Sequence, residues 1–420
     1  MDSSILKQAL DEWQKWFQNA SISLKTRETS LHFIQKNALA ITGVRRCGKT
    51  YLSVDYSIKK RNVHPHQTFY FNFEDPISLG TTNPEILDSL LLLYSEHYGG
   101  FPSLVILDEI QNVKGWEKWV RKQVDLNHFQ IIVTGSSAKL LSSELASSLT
   151  GRCIEQVLWP LSFREYFKFI DKPKPSTPNE ALNHLHQYMK WGGFPDVVLQ
   201  NNKKNRVELL KQYLIGILYR DVLGRHELRS SQLLEKIVLH YLTNISSLHS
   251  YTSLRKAYGV PTNTAAEYTR MLEEAFLTFE VGRYHPNLKV QTRDPKKIYA
   301  VDTGLRNINS FSSQEDIGKL AENIVFIELK RRQHEVTYFK GNKEVDFVIT
   351  RFGKPLKAIQ VCYSDLEKED TKTREIEALI ECLQTLRLHS GLILTRNREE
   401  KIKTKKLNIQ FLPLYRWLLK

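Results

Sequence analysis

The chain has 420 residues, 41% hydrophobic and 25% charged, the balance of a soluble globular protein of two or three domains. No apolar run reaches the ~18 residues of a membrane span, and four scattered cysteines (Cys47, Cys153, Cys362, Cys382) without metal-ligand spacing read as reduced thiols of a cytoplasmic protein. The net charge of +14 is uneven, with +1 over residues 1–160 and +13 over the remainder, so either duplex DNA or a solvated basic surface accounts for the C-terminal excess.

The opening stretch "MDSSILKQALDEWQKWF" places acids inside an apolar periodicity, which predicts an amphipathic helix rather than a signal peptide. "ALAIT" (38–42) is a short buried strand. "GVRRCGKT" (43–50) follows it, and "YLSVDYSIKK" (51–60) then has helical spacing. Strand, glycine-bounded turn and helix are the context that a P-loop requires. Gly43 and Gly48 let successive N–H groups face phosphate oxygens, Lys49 reaches the β- and γ-phosphates, and Thr50 holds Mg²⁺. The competing reading is an ordinary turn in another α/β protein. "TFYFNF" (68–73) is a second strand. "SLVILDEI" (103–110) is a third that ends in two acids, Asp108 for the Mg²⁺ shell and Glu109 for polarising a water. "IIVTGSS" (131–137) and "CIEQVLWPL" (153–161) add two more, and Ser136 or Ser137 is placed to sense the γ-phosphate. Five strands alternating with helices predict a doubly wound, mainly parallel sheet.

"GVRRCGKT", "LVILDEIQNV", "IIVTGSSAKLL" and "LTGRCIEQVLWPLSFREYF", in that order, resemble the AAA+-type P-loop ATPases of bacteria and archaea, and more narrowly those predicted ATPases with a C-terminal domain of uncharacterised role. The resemblance implies an ATP-binding, Mg²⁺-dependent ATPase whose nucleotide contacts run from Gly43 through Arg45, Arg46, Cys47, Gly48, Lys49 and Thr50 to Tyr51, with Asp108 and Ser136. It gives catalytic roles to Lys49 and Glu109, and offers Arg152 either as a sensing or trans-acting arginine or as a salt bridge fixing its turn. The expected domains are an ATPase over 1–170, a helical lid and winged helix over 180–300, and a restriction-endonuclease-like α/β domain over 301–420. A nucleotide-driven switch acting on DNA or a protein partner follows, with no membrane role and an oligomer left open. The rivals are a non-hydrolysing, nucleotide-dependent DNA-binding or scaffold protein, and a small-molecule kinase.

"DKPKPSTPNE" (171–180) reads as a linker, and residues 181–245 read as helical with a break at "WGGFP". Arg220 and Arg225 in "YRDVLGRHELR" (219–229) are either phosphate sensors or part of a solvated helix. Across 250–286, a short helix, a turn at Gly259-Val260-Pro261 and a longer helix follow helix-turn-helix logic. Thr262, Asn263, Thr264, Tyr268 and Arg270 are then candidates to face a DNA groove. In the last domain the resemblance sets Glu322 on a helix and Asp346 on a strand at nuclease metal positions. Gln360 stands where an acid is expected and Cys362 where a lysine is expected, with Lys357 three residues earlier. Neither substitutes for a carboxylate on Mg²⁺ or for a positive charge at a phosphate, so the domain is expected to lack nuclease activity.

Overall fold

The computed structural model describes residues 3–20, 22, 24–60, 65–79, 83–138, 149, 151–226, 230–309, 316–363, 369–403 and 406–420. The ends of the "IIVTGSSAKLL" and "YRDVLGRHELR" motifs, Thr150 and Ser364 lie outside the described residues. Contacts divide the chain into two compact units, Met1–Leu158 and Trp159–Lys420.

In the first unit the strands are β1 (Ala38–Thr42), β2 (Thr68–Asn72), β3 (Leu104–Asp108), β4 (Gln130–Gly135) and β5 (Cys153–Val157). They form one parallel sheet in the order β2-β3-β4-β1-β5. β1 and β3 are buried at every residue. That is why they read as unbroken apolar runs: helices cover both faces of a parallel sheet. The N-terminal helix Ser3–Ala20 buries Leu6, Ala9, Leu10, Gln14 and Phe17. Its Trp16 and Phe17 stack on Tyr70 of β2, with ring centroids 5.1 and 5.6 Å away. β1 runs into the glycine turn, and the helix Lys49–Asp55 leaves it, continuing as a π-helical turn over Tyr56–Lys60.

The second unit opens with the helix Phe163–Phe169, started by a reciprocal capping box between Ser162 and Glu165. Further helices follow at Pro178–Trp191, Pro195–Leu199, Lys203–Gly216 and Ser231–Thr243. Next come β6 (Ser247–His249), the helices Tyr251–Tyr258 and Thr262–Glu274, β7 (Thr278–Val281) and β8 (Lys296–Ala300). These three strands pair antiparallel in the order β6-β8-β7.

After the helices Thr303–Asn307 and Asp316–Arg331 the chain builds a six-stranded mixed sheet. Its strands are β9 (Glu335–Lys340), β10 (Glu344–Arg351), β11 (Lys354–Cys362), β12 (Ser390–Thr395), β13 (Glu400–Lys403) and β14 (Asn408–Pro413). They lie in the order β13-β14-β12-β11-β10-β9. The helix Glu369–Thr385 supplies Ala378, Leu379, Cys382 and Leu383 to the core of this sheet. Among the described residues no helix is long and apolar enough to cross a membrane.

Candidate nucleotide-binding site

The turn after β1 is shaped by backbone that side chains tolerate poorly. Gly43 has φ +140°, and a Cβ there would lie 2.2 Å from the Leu158 carbonyl oxygen. Any larger residue would displace the chain. Gly48 is left-handed (φ 97°) and caps the following helix without a side-chain acceptor, which leaves the backbone N–H groups of the first turn facing outward for a ligand. Arg27 braces the loop from outside, donating to the Cys47 carbonyl at 2.8 Å. The Cys47 thiol is buried, and that burial raises its pKa, so it stays neutral.

Within the loop, Lys49 Nζ donates to the carbonyls of Gly43 (3.1 Å) and Val44 (3.3 Å) and lies 3.7 Å from Glu109 Oε1. Thr50 Oγ1 is 2.9 Å from Asp108 Oδ2. Asp108 therefore joins the end of β3 to the first turn of the helix after β1. Register explains its other partners. β4 lies between β1 and β3, with Ile41 opposite Thr134 and Leu107 opposite Val133, so the Thr134 hydroxyl reaches Asp108. Asn72 is opposite Asp108, and Tyr70, two residues back, shares its face and donates at 3.0 Å. Burial first, then the Glu109 charge, pushes the Asp108 carboxyl up to about 6, while the three hydroxyls oppose the rise.

Glu109 adopts a left-handed backbone (φ 53°), unusual outside glycine and asparagine. Its N–H donates to Thr134 Oγ1 at 3.1 Å, and its carboxylate accepts from Gln111 and from Ser136 Oγ at 3.3 Å. A strained, over-determined backbone of this kind is typical of a residue aimed for function.

The structure thus brings together Gly43, Gly48, Lys49, Thr50, Asp108, Glu109 and Ser136. Arg45 leans away to Glu74 at 2.7 Å. Arg46 is exposed in left-handed conformation. Tyr51 is 51% exposed, its ring 6.0 Å from Trp16. Arg152 sits elsewhere. Its carbonyl accepts from the Ala38 N–H, at the end of β1 opposite the glycine turn, roughly 17 Å away along five strand residues. Its Nε pairs with Asp125 at 2.6 Å. Tyr70, Thr134 and Gln111 were missed by sequence reasoning: on a buried strand a hydroxyl reads as filler until register shows its neighbour.

In the second unit, Arg225 pairs with Asp221 at 3.0 Å and Arg220 is exposed. Tyr268 is a correction: it is buried, with its hydroxyl toward the Ser230 carbonyl, because it falls on the inward stripe of the helix Thr262–Glu274 with Ala265 and Leu272. Asn263 and Arg270 are exposed on that helix. Gln360 is held between the Asp346 N–H (3.1 Å) and Glu375 (2.6 Å). Cys362 is a buried thiol pushed up to about 12, chiefly by desolvation.

Residues 35–167 match a family described as an AAA domain, and residues 182–315 match a domain of unknown function, DUF8612. An uncharacterized protein of Methanocaldococcus jannaschii is 34% identical over 415 residues, covering 94% of this chain and 90% of the relative. One of Haemophilus influenzae is 30% identical over 334 residues, covering 77% and 82%. The chain belongs to this family of AAA-domain proteins. The strand order and the loop geometry agree with a P-loop ATPase of the AAA type. Among solved structures, the Aeropyrum pernix Orc1 protein in complex with DNA is 12% identical, covering 77% of this chain and 93% of that one, with a TM-score of 0.30. So loose a likeness carries no inference.

Proposed function

We propose that the protein binds ATP with Mg²⁺ in the turn after β1, hydrolyses it, and uses the cycle to switch its grip on a partner. The observation that carries this reading is the 2.9 Å contact between Thr50 Oγ1 and Asp108, with Lys49 and Glu109 at its side. A hydroxyl and a carboxylate are the hard oxygen donors that Mg²⁺ takes alongside phosphate, and the left-handed Gly48 opens the helix that follows the turn with no side-chain acceptor on its first N–H groups. The residues present therefore fit Mg²⁺ and a triphosphate. Thr50 and Asp108 would hold the ion, which supplies positive charge to the β- and γ-phosphates. Lys49 would exchange its two loop carbonyls for phosphate oxygens. Glu109 would orient the attacking water, with Ser136 and Gln111 fixing its carboxylate. The Asp108–Glu109 pair favours hydrolysis over transfer to a small molecule.

The switch reading extends to the second unit. The order helix Ser231–Thr243, β6, two helices, β7, β8 supports a winged-helix reading, in which the helix Thr262–Glu274 would present Asn263 and Arg270 to duplex DNA. The last sheet would be a restriction-endonuclease-like domain without cleavage, since Gln360 and Cys362 supply neither acid nor cation. Arg152, paired with Asp125 at the far end of β1, would act on a neighbouring copy. Steady-state ATP hydrolysis with and without duplex DNA tests the proposal. Turnover that requires Mg²⁺ and rises with DNA is expected. Undetectable turnover in both conditions would leave a nucleotide-dependent binding protein, and turnover indifferent to DNA would point to a protein partner.

A further inference from the structure

Three carboxylates in the second unit converge on one ammonium. Lys297 is on β8, its side chain 2% exposed, with Nζ 3.0 Å from Glu322 Oε1, 2.9 Å from Glu344 Oε1 and 2.9 Å from Asp346 Oδ1. The ammonium donates hydrogen bonds to Glu322 and Asp346 and pairs by charge with Glu344. The acids are themselves fixed. Tyr299 donates to Glu322 Oε1 at 2.7 Å, and the Val361 N–H donates to Asp346 Oδ2 at 2.9 Å. Asn323, one residue after Glu322, bonds both the N–H and the carbonyl of Ala300, which locks the helix Asp316–Arg331 onto the end of β8. The cluster therefore draws on three elements held in fixed register.

One lysine does not balance three acids. A second cation, Lys340, is 3.6 Å from the far oxygen of Glu344 and half-exposed. Hard oxygens converging on one buried point are the donor chemistry of Mg²⁺ or Mn²⁺. Among the described residues no group of three or more His, Cys, Asp or Glu is arranged to hold a metal ion, and here the central point belongs to Lys297.

We propose that Lys297 is a built-in cation, occupying and closing what is otherwise a divalent-cation site of Glu322, Glu344 and Asp346. It does two things at once. It pins β8 of the three-stranded sheet to β10 of the six-stranded sheet without a metal. It also removes the place where a metal would activate water or a phosphodiester, because its ammonium sits at the point where the three carboxyl groups converge. This is a cause of catalytic silence separate from Gln360 and Cys362, and it does not rest on the ATPase reading.

The test uses the full chain carrying Asp108→Asn, without nucleotide, so that the first unit contributes no metal site. Mn²⁺ binding is followed by calorimetry and by electron paramagnetic resonance. With Lys297 in place, no Mn²⁺ site that depends on Asp346 is expected. Lys297→Met should gain one Mn²⁺ per chain, lost again on adding Asp346→Asn. A folded Lys297→Met chain with no gain overturns the proposal, as does an Asp346-dependent Mn²⁺ site in the chain that keeps Lys297. Should Lys297→Met not fold on its own, recovery of soluble protein only with Mn²⁺ supports the proposal. Recovery through Glu344→Gln and Asp346→Asn, with no help from Mn²⁺, overturns it.

Discussion

Each unit buries a lysine beside carboxylates, and the two are held in opposite ways. Lys49 follows a glycine in a turn, donates to two backbone carbonyls, and stands 3.7 Å from Glu109. Lys297 sits in mid-sheet with three carboxylate oxygens within 3.0 Å. Carbonyls are neutral partners that a phosphate outcompetes, so Lys49 remains available. Three carboxyl groups surround the Lys297 ammonium at 2.9–3.0 Å, so it is consumed by the fold. The charges around Lys297 act on its proton as well: burial would lower the ammonium, but Asp346, Glu322, Tyr299 and Glu344 outweigh it and hold the value well above the ordinary one. The same side chain is a tool in one setting and a structural ion in the other, and the difference lies in what its neighbours leave undone.

Removing each lysine should therefore give different losses. Lys49→Ala removes two carbonyl bonds and the 3.7 Å pairing with Glu109; it is expected to abolish measurable ATP binding in calorimetry while the unliganded chain stays folded with a modest fall in melting temperature. Unaltered ATP affinity would remove Lys49 from the site. Glu109→Gln keeps the shape and the Gln111 and Ser136 contacts but not the charge. It should retain ATP binding and slow hydrolysis by about 10²–10⁴-fold, the usual contribution of a positioned base. Wild-type turnover in that variant would make Glu109 a structural acid. Lys297→Met, without added metal, should lose about 3–5 kcal/mol of stability, because it strands buried charge rather than deleting a pair. It should not alter ATP affinity. A neutral effect on stability would mean that the three acids take up protons at no cost.

Legibility in the sequence followed the same division. The first unit was readable because its strands are buried on both faces and its loop chemistry is contiguous: the eight residues 43–50 hold most of the site. Asp108 and Glu109 were visible as acids ending an apolar strand. Tyr70 and Thr134 were not, since their hydroxyls acquire meaning only from the parallel register that sets them beside Asp108. Lys297 was hidden more deeply. In "RDPKKIYA" it reads as part of an exposed basic run, and only the pairing of β8 with its neighbours turns it inward while Lys296 stays at the rim with Glu280. Arg152 was open in sequence between a sensing or trans-acting arginine and a salt bridge, and its 2.6 Å pairing with Asp125 matches the salt bridge. Contiguous motifs survive in sequence; sites assembled by register do not.

A further buried acid sharpens the contrast, because it has no cation beside it. Among the described residues Asp302 has no ion-pair partner. Its carboxylate accepts from the N–H groups of Gly193 (2.6 Å) and Gly304 (2.8 Å) and caps the helix Thr303–Asn307. Burial pushes it up to about 6 despite those backbone donors. A raised value means that the folded chain holds this proton more tightly than the unfolded chain, whose aspartate titrates near 4. Its contribution to stability is thus full below about pH 4 and is lost as pH rises through about 6. Asp302→Asn cannot ionise and keeps a good helix cap. The variant should gain on the wild type by about 3 kcal/mol between pH 4 and pH 7, two pKa units at about 1.4 kcal/mol each. Denaturant unfolding at both pH values reads the difference. Parallel pH dependence in the two proteins would show that Asp302 keeps its charge, and that backbone N–H groups alone can do for a carboxylate what Lys297 does for three.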